Sequence, residues 1–441
     1  MSNHARVVPS PGGGLGEIGS AQYFQALAAR VVPDVRMNPV LLKPESDTRS
    51  QVVVMGAANA ALSAMSWRQR SQLLSSVAET AYRSLAANYD VIVIEGAGSP
   101  AEINLATEDY VNLSTARWSK ARCLLVSDID RGGSFAHLYG THALMPPDVR
   151  AQVTGFVLNR FRGDPDLLSP APEDLQRLTG VPTVAIVPYI HQHGLPEEDA
   201  LPRGRSTGLG PRIAIVAGPA ASNLDEFECL LSAGIHVEFV RDRAGLTRSD
   251  WIILPGSKQT RVDLEWLRHT GMDEVIRDHA AQGRPVLGIC GGLQLLGLCL
   301  EDPYGLEGSG AVTVDGLGLL SVKTRFESPK RILKTAAFFI LPPGPWERLN
   351  GLIIEGYEIH IGRTSGEFDT EVAVVDAAGV AIGWHRGSVL GLYLHGFLES
   401  PTVLNAMFGV SVPALDNALD HLADIVAMSF KPGVLNSLIT P

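Results

Sequence analysis

One segment, residues 284–300, constrains the fold of this chain more than any other. The apolar run 285–289 has the length and composition of a buried strand, and apolar residues with helical spacing follow it at once. Cys290 stands at the junction, between glycines on both sides. Because a strand that turns directly into a helix needs small residues at the bend, the segment predicts a parallel α/β sheet with Cys290 at the carboxyl end of a strand.

The cysteine and its glycines have the pattern of a nucleophile elbow, with sulfur in place of oxygen. A thiol at a helix N-terminus gains thiolate character from the positive end of the helix dipole. The backbone N–H of Gly291 would then help to bind an oxyanion. The alternative is a structural cysteine buried in a glycine-rich turn.

Two further strand ends carry groups that suit acyl transfer. His395 follows the apolar segment 388–392 and would act as a general base toward Cys290. Gly256 follows the apolar segment 251–254 and would lie near the second oxyanion donor. A single histidine is more often structural, but the three strand ends together favour a cysteine-dependent acyl-transfer site.

These residues resemble a class I glutamine amidotransferase domain. The resemblance implies that Cys290, as nucleophile, and His395, as base, hydrolyse glutamine to glutamate and ammonia. In that family a glutamate usually lies two residues after the histidine, where this chain has Phe397, and the nearest acid is Glu399. The departure resembles the subgroup attached to cobyrinic-acid-amidating synthetases, which use a Cys–His dyad. It leaves open which group orients His395.

Composition limits the class of protein. The 441 residues, 45% of them hydrophobic, suit two or three glycine-rich α/β domains. The net charge of −11, with no block of Lys and Arg, disfavours nucleic acid and anionic membranes as partners. No apolar run reaches ~18 residues, and four scattered cysteines show no metal or disulfide spacing. We therefore expect a cytoplasmic protein, and the oligomeric state stays open.

The alternation of strand and helix patterns predicts the fold class α/β, with two doubly wound domains. The first covers residues 1–200, a Pro/Gly/Arg/Ser-rich linker covers 201–211, and the second covers 212–441 and ends in a C-terminal helix. No strand is expected in the first twenty residues, which contain the loop 9–16. The strands predicted for the first domain are 51–55, 90–98, 121–130, 153–159 and 181–188.

Three acids of the first domain follow predicted strands. Glu95 ends a strand where α/β nucleotide-binding proteins hold Mg²⁺ or its water, so it is a candidate metal ligand. Asp128 and Asp130 end the next strand, and the three carboxylates would then face one crevice. Alternatively, Glu95 caps the turn that follows its strand. For the group of three carboxylates, the alternatives are that one of them is exposed to solvent or that it pairs with Arg131.

Longer motifs occur along most of the chain. They include Glu-Gly-Ala-Gly-Ser-Pro-Ala-Glu-Ile-Asn at 95–104 and Asp-Ile-Asp-Arg-Gly-Gly at 128–133, with further segments at 16–19, 37–44, 159–164, 195–199 and 356–364. Together they resemble the cobyric acid synthase family from about Gly16 to the C-terminal helix. The resemblance implies a first domain similar to dethiobiotin synthetase, with ATP and Mg²⁺. It also implies that the b, d, e and g carboxylates of adenosylcobyrinic acid a,c-diamide are amidated in cobalamin biosynthesis.

In such a cycle ATP converts a carboxylate to an acyl phosphate, and ammonia made at Cys290 crosses between the domains and displaces phosphate. Members of the family open with a strand and a glycine-rich phosphate-binding loop that ends in Lys-Ser/Thr. In this chain glycines 12–14 are not followed by Lys-Ser/Thr or by a helix pattern. We therefore expect that the first βα unit, ~30 residues, is missing, and we assign no nucleotide-binding residue. A gene start placed too late is favoured over a real loss.

Several assignments keep alternatives. Tyr357, Glu358 and His360 either belong to a core strand with its polar side chains exposed or face the interdomain crevice and gate ammonia. His191 and His193 are expected in solvent, with substrate contact from the acids at 197–199. The alternative functions are cobyrinic acid a,c-diamide synthase, a chain that keeps only glutaminase or binding activity, and a stand-alone cysteine hydrolase, which the extra ~200-residue domain disfavours.

Overall fold

The computed structural model describes residues 4–46, 49–190, 195, 208, 210–308, 310–367, 370–410 and 415–440. They form two compact units: unit 1 comprises Met1–Ala57 and Gly194–Pro413, and unit 2 comprises Ala58–His193 and Ala414–Pro441. The predictions for His191, His193 and 196–199, and most of the predicted linker, lie outside the described residues.

The described secondary structure alternates between strands and helices. The strands are β1 (Ala5–Pro9), β2 (Leu15–Gly19), β3 (Val40–Ser46), β4 (Arg49–Val54), β5 (Ala57–Ala58), β6 (Cys123–Asp128), β7 (Val153–Phe161), β8 (Thr183–Pro188), β9 (Arg212–Val216), β10 (Ala221–Ser222), β11 (His236–Val240), β12 (Trp251–Leu254), β13 (Gly256–Ser257), β14 (Val286–Ile289), β15 (Cys299–Asp302), β16 (Val312–Asp315), β17 (Val322–Phe339), β18 (Ile353–Gly366), β19 (Glu371–Val375), β20 (Ala381–Arg386) and β21 (Val389–Leu392). The helices are α1 (Ser20–Ala28), α2 (Ala60–Ala64), α3 (Trp67–Ala86), α4 (Leu113–Ser119), α5 (Ser134–Leu144), α6 (Pro147–Arg150), α7 (Ala171–Thr179), α8 (Glu228–Ser232), α9 (Arg243–Thr247), α10 (Thr260–Thr270), α11 (Met272–Ala281), α12 (Gly291–Leu296), α13 (Pro401–Phe408), α14 (Leu415–Ser429) and α15 (Val434–Ile439).

A mixed sheet organises unit 1. Its order is β11-β9-β12-β14-β21-β20-β19-β17-β15-β16, with β18 paired to β17. The strands from β11 to β21 run parallel, and β20 and β19 continue the sheet antiparallel. The parallel strands are short and almost wholly apolar because both of their faces are covered. The predicted strands at 251–254 and 285–289 are confirmed.

A hairpin that the sequence did not predict lies at the start of unit 1. Strands β1 and β2 pair antiparallel, with Ala5 opposite Gly19 and Pro9 opposite Leu15, so the expectation of no strand before residue 20 is wrong. The predicted loop shrinks to the tight turn between them. The hairpin packs against β17 and β18. A charged residue, Arg6, is buried in β1, which hides the apolar pattern of a strand from sequence analysis.

Unit 2 contains the parallel sheet β6-β7-β8, and helix α14 packs against β8. The predicted strands at 121–130, 153–159 and 181–188 are confirmed. The buried strand predicted at 90–98 is wrong, because residues 91–97 have no regular structure and Val93 is 94% exposed. Apolar composition alone does not make a strand, since the backbone also needs a neighbouring strand to bond.

The compact units do not follow the predicted domain boundaries at 200 and 212. Residues 1–57 join unit 1 because the hairpin packs on β17 and β18, and the C-terminal helix joins unit 2 because it packs on β8. The α/β class holds for both units. Among the residues that the structure describes, no helix combines the length and apolar character that crossing a membrane requires.

Candidate active site

Cys290 lies at the predicted strand-to-helix elbow. It follows β14 directly, precedes α12, and has a φ of 52°, a backbone conformation that side chains other than glycine rarely adopt. Glycine is required at the two positions after Cys290 because other parts of the backbone pass close to them. A Cβ at Gly292 would overlap the carbonyl oxygen of Leu254, and a Cβ at Gly291 would lie 2.6 Å from the amide nitrogen of Ser257. The elbow therefore holds the cysteine in one orientation.

His395 meets Cys290 as the sequence predicted. The two side chains line the same cavity, Cys290 raises the pKa of the imidazole, and His395 is only 2% exposed. The sulfur of Cys290 also lies 3.6 Å from the carbonyl oxygen of Ile359 in β18. Both side chains line a cavity of about 130 Å³ within unit 1. The structure thus brings together a thiol, an imidazole and room for a small substrate.

A glutamate that sequence analysis missed holds the other side of the imidazole. The Nδ1 atom of His395 lies 3.2 Å from Oε1 of Glu226, and the backbone N–H of Gly396 donates to Oε2 of Glu226 at 3.1 Å. Asn223 places its Nδ2 atom 3.4 Å from the same Nδ1 atom. Glu226 precedes His395 by 169 residues, so no short motif joins them; the only signal was an acidic turn after the first strand of the second domain.

The charges around His395 change its titration. Burial alone would lower the pKa of this imidazole, but the neighbouring Glu226 carboxylate and the Cys290 side chain raise the pKa to about 10. At neutral pH the imidazole is therefore positively charged. A charged imidazole beside a sulfur is the arrangement of an acid–base group next to a cysteine nucleophile.

The predicted oxyanion region also lies at this site. Gly256 belongs to β13, and a Cβ there would be 3.0 Å from Cε1 of His395. Ser257, the next residue, is close to Gly291 as described above. The structure thus brings the Gly256 region and the elbow together around the thiol.

An acid inside the same cavity has an unusual titration. Glu307 accepts hydrogen bonds from the hydroxyl of Thr260 at 3.1 Å and the N–H of Arg261 at 3.1 Å. Burial nevertheless raises the pKa of this carboxyl to about 7. The Thr260 hydroxyl also lies 3.0 Å from Gln294, one helical turn after Cys290. A nearby positive charge on a ligand would therefore stabilise the ionised acid.

Two lysines bring positive charge to the same cavity. Lys43 and Lys330 both line the cavity and both bind the buried carboxylate of Glu17, Lys330 at 3.1 Å. Burial alone would raise the pKa of Glu17, but the two ammonium groups lower it to about 2. Burial lowers the pKa of Lys43 to about 8. Because the two lysines bind a single carboxylate, this group of three side chains brings a net positive charge to the cavity.

The strand β18 carries the polar residues predicted at 356–364. Tyr357, Glu358 and His360 are 8%, 1% and 6% exposed, so the interpretation that places them on an exposed face is wrong. The Tyr357 ring stacks on His395 with centroids 5.3 Å apart. His360 bonds Glu358 at 3.0 Å and lines the cavity. Among these side chains His360 lines the cavity, while Tyr357 and Glu358 contact the two histidines of its wall.

The three carboxylates of unit 2 do not assemble into one group. Asp128 pairs with Arg131 at 3.3 Å, one of the alternatives left open above, and Asp130 pairs with Arg162 at 3.0 Å. Glu95 lies in the exposed irregular segment. Within the described ranges, no three His, Cys, Asp or Glu side chains are grouped to hold a metal ion. These residues do not fit a Mg²⁺ site as arranged, and Glu95 as a metal ligand stays a prediction.

Two family models match this chain. Residues 212–403 match the family described as a CobB/CobQ-like glutamine amidotransferase domain, and residues 20–196 match an AAA domain family. A solved glutamine amidotransferase shares 19% identity over 44% of this chain and 98% of its own length, with a TM-score of 0.34.

Two relatives match along the whole chain. The cobyric acid synthase of Methylibium petroleiphilum is 54% identical over 452 residues, which cover 100% of this chain and 89% of the relative. That of Polaromonas naphthalenivorans is 53% identical over 451 residues, which cover 100% of this chain and 91% of the relative. The chain belongs to the cobyric acid synthase family.

Proposed function

We propose that Cys290, His395 and Glu226 form a glutaminase triad that supplies ammonia for an ATP-driven amidation. The observation that carries this proposal is the placement of buried Cys290 and His395 on one cavity, with Glu226 bound to Nδ1 of the imidazole. The family supports the wider reaction. The enzyme is a glutamine-dependent amidotransferase of cobalamin biosynthesis, and it acts on carboxylates of adenosylcobyrinic acid a,c-diamide.

The glutaminase half begins with attack of the Cys290 thiolate on the side-chain amide of glutamine. The tetrahedral oxyanion is stabilised by backbone N–H groups around Gly291 and Gly256. The His395 imidazolium gives its proton to the leaving nitrogen, so that the C–N bond breaks and ammonia departs. Neutral His395 then takes a proton from water, the hydroxide adds to the thioester, and the C–S bond breaks to give glutamate, the Cys290 thiolate and the imidazolium with which the cycle began.

Glu226 orients His395 in this scheme. It holds Nδ1, so that Nε2 faces the sulfur, and it stabilises the positive imidazolium. The acid of the usual triad is thereby supplied from another part of the chain, which explains why Phe397 can occupy the usual position.

The charged side chains that line the cavity suit the α-amino and α-carboxylate groups of glutamine. Glu307 would bind the α-ammonium group of glutamine. That positive charge would stabilise the ionised Glu307 carboxylate and so offset the effect of burial on its pKa. Lys43 and Lys330 would face the α-carboxylate. Both signs of charge on one cavity wall favour a zwitterion, which then meets Cys290 in a defined orientation.

The second half of the reaction needs ATP because a carboxylate is a poor electrophile. Phosphorylation turns one carboxylate oxygen into a leaving group, and ammonia then displaces phosphate to form the amide. We assign this step to the functional domain 1–200 and glutamine hydrolysis to 212–441. No step is assigned to Mg²⁺. Cytoplasmic location and the absence of nucleic-acid and membrane partners stay predictions.

Product analysis tests the proposal. The protein is incubated with glutamine, ATP and either adenosylcobyrinic acid a,c-diamide or cobyrinic acid, and corrinoids are separated by mass. The proposal expects conversion of the b, d, e and g carboxylates of the diamide to amides, with one glutamate released per amide. Amidation of cobyrinic acid at positions a and c alone would favour a cobyrinic acid a,c-diamide synthase instead.

A further inference from the structure

We infer that strand β1 is a working part of the glutaminase, and that Arg6 is a positioning residue for His395. The inference rests on the proposed role of His395 and Glu226. Residues 4–19 lie outside both matched family regions, 20–196 and 212–403. In the structure they nevertheless belong to the compact unit that contains the candidate active site.

Arg6 ties together the two chain segments that carry the base and its acid. The guanidinium is 3% exposed, and its nitrogens lie 2.6 Å from Asp225 and 2.6 Å from Glu399. Asp225 directly precedes Glu226, and Glu399 follows His395 by four residues. One buried cation therefore fixes the separation between the segment of Glu226 and the segment of His395.

The backbone and ring contacts of β1 reach the same imidazole. The N–H of Ala5 donates to Oδ1 of Asn223 at 3.4 Å, and Asn223 places its amide nitrogen beside Nδ1 of His395. The guanidinium of Arg6 lies 5.5 Å from the centre of the Tyr357 ring, which stacks on His395. The imidazole is thus held from two sides by groups that β1 positions.

The chemistry of the cluster argues for a positioning role. A buried ion pair gives up much of its attraction to desolvation, so an apolar cluster of similar volume stabilises a fold at least as well. What the ions do provide is a defined geometry, because a guanidinium bonds two carboxylates only in fixed directions. Ser20 adds a hydrogen bond to Asp225 at 2.9 Å, which further fixes that carboxylate.

The consequence is a link between the N-terminal segment and glutamine hydrolysis. The same segment supplies Ala5, Lys43 and Gln51 to the cavity wall. By sequence motif it belongs to the synthetase half, through 16–19 and 37–44. A change in β1 would therefore alter the glutaminase without touching any residue of the matched amidotransferase region.

The test compares Arg6→Met with Arg6→Lys in the full chain. Arg6→Met is expected to lower kcat for glutamate release at least about tenfold, with KM for glutamine changed less than about threefold. It is also expected to move the alkaline limb of the kcat profile to lower pH, since a misplaced Glu226 no longer holds the proton on His395. Arg6→Lys restores part of the rate. Amidation driven by ammonium chloride stays at the wild-type rate.

Controls separate positioning from stability. Arg36→Met removes an ion pair with Asp34 within the same N-terminal segment and is expected to leave glutamate release unchanged. If Arg6→Met does not fold, Asp225→Asn, which keeps the side-chain volume, decides the question by the same readouts. Folded variants at Arg6 and Asp225 with wild-type kcat and pH profile would overturn the inference. Failure of the proposed function would be seen separately, as glutamate release that survives Cys290→Ser.

Discussion

Replacement of Glu226 by glutamine tests the electrostatics of the candidate triad. The pKa of His395 rises from its usual 6.5 to about 10, which corresponds to ~5 kcal/mol of preference for the imidazolium form. The Cys290 thiolate shares this effect with Glu226. If Glu226 contributes roughly half, its loss removes ~2 kcal/mol, and kcat/KM for glutamine should fall roughly thirtyfold. Glutamine at 226 keeps the volume and one hydrogen bond, so the change isolates the charge.

The assay is glutamate release as a function of pH. Because the imidazolium is stabilised only below the raised pKa, the alkaline limb should lie near pH 10 in the wild type and move to lower pH in Glu226→Gln. Glu228→Gln, two residues further on and partly exposed, is the matched control and should behave as wild type. A Glu226→Gln enzyme within about twofold of the wild-type kcat/KM would refute the assignment of Glu226.

Three further predictions concern stability, each read from urea unfolding. The low pKa of Glu17 stabilises the fold above pH ~4.5, so the wild type should lose ~3 kcal/mol as pH falls toward 2, and Glu17→Gln should lack this slope. The raised pKa of Glu307 acts in the opposite sense: the wild type should lose ~3 kcal/mol as pH rises from 4.5 through 7, and Glu307→Gln should stay level in that interval. Phe397 is fully buried and stacks on Phe339 with centroids 5.4 Å apart, so Phe397→Glu should destabilise the fold by roughly 3 kcal/mol or more and restore no triad; a stable and more active variant would contradict this.

The sequence predicted the elbow and its partner well because both are local patterns. The apolar strand, the glycines and Cys290 lie together in the chain, and the strand before His395 ends in the same way. Parallel strands bring their carboxyl ends to one edge of a sheet, so two such ends are expected to meet. The contact between Cys290 and His395 follows from that rule.

The sequence failed where a contact depends on distant segments. Glu226 contacts His395 from 169 residues away in the chain, Arg6 contacts the neighbours of both from 389 residues before His395, and neither belongs to a motif. The strand predicted at 90–98 failed for a related reason, since a strand forms only with a neighbour that its own residues do not specify. Strand β1 is the opposite case. It forms in the structure, but the buried Arg6 interrupts the apolar pattern by which a strand is recognised in a sequence.

The most direct test of the account is Cys290→Ser assayed with two nitrogen sources. The account predicts that amidation of adenosylcobyrinic acid a,c-diamide with glutamine is abolished, while amidation with ammonium chloride proceeds at the wild-type rate. Equal loss with both sources, or continued use of glutamine, would contradict the claim that Cys290 releases ammonia for use elsewhere in the chain.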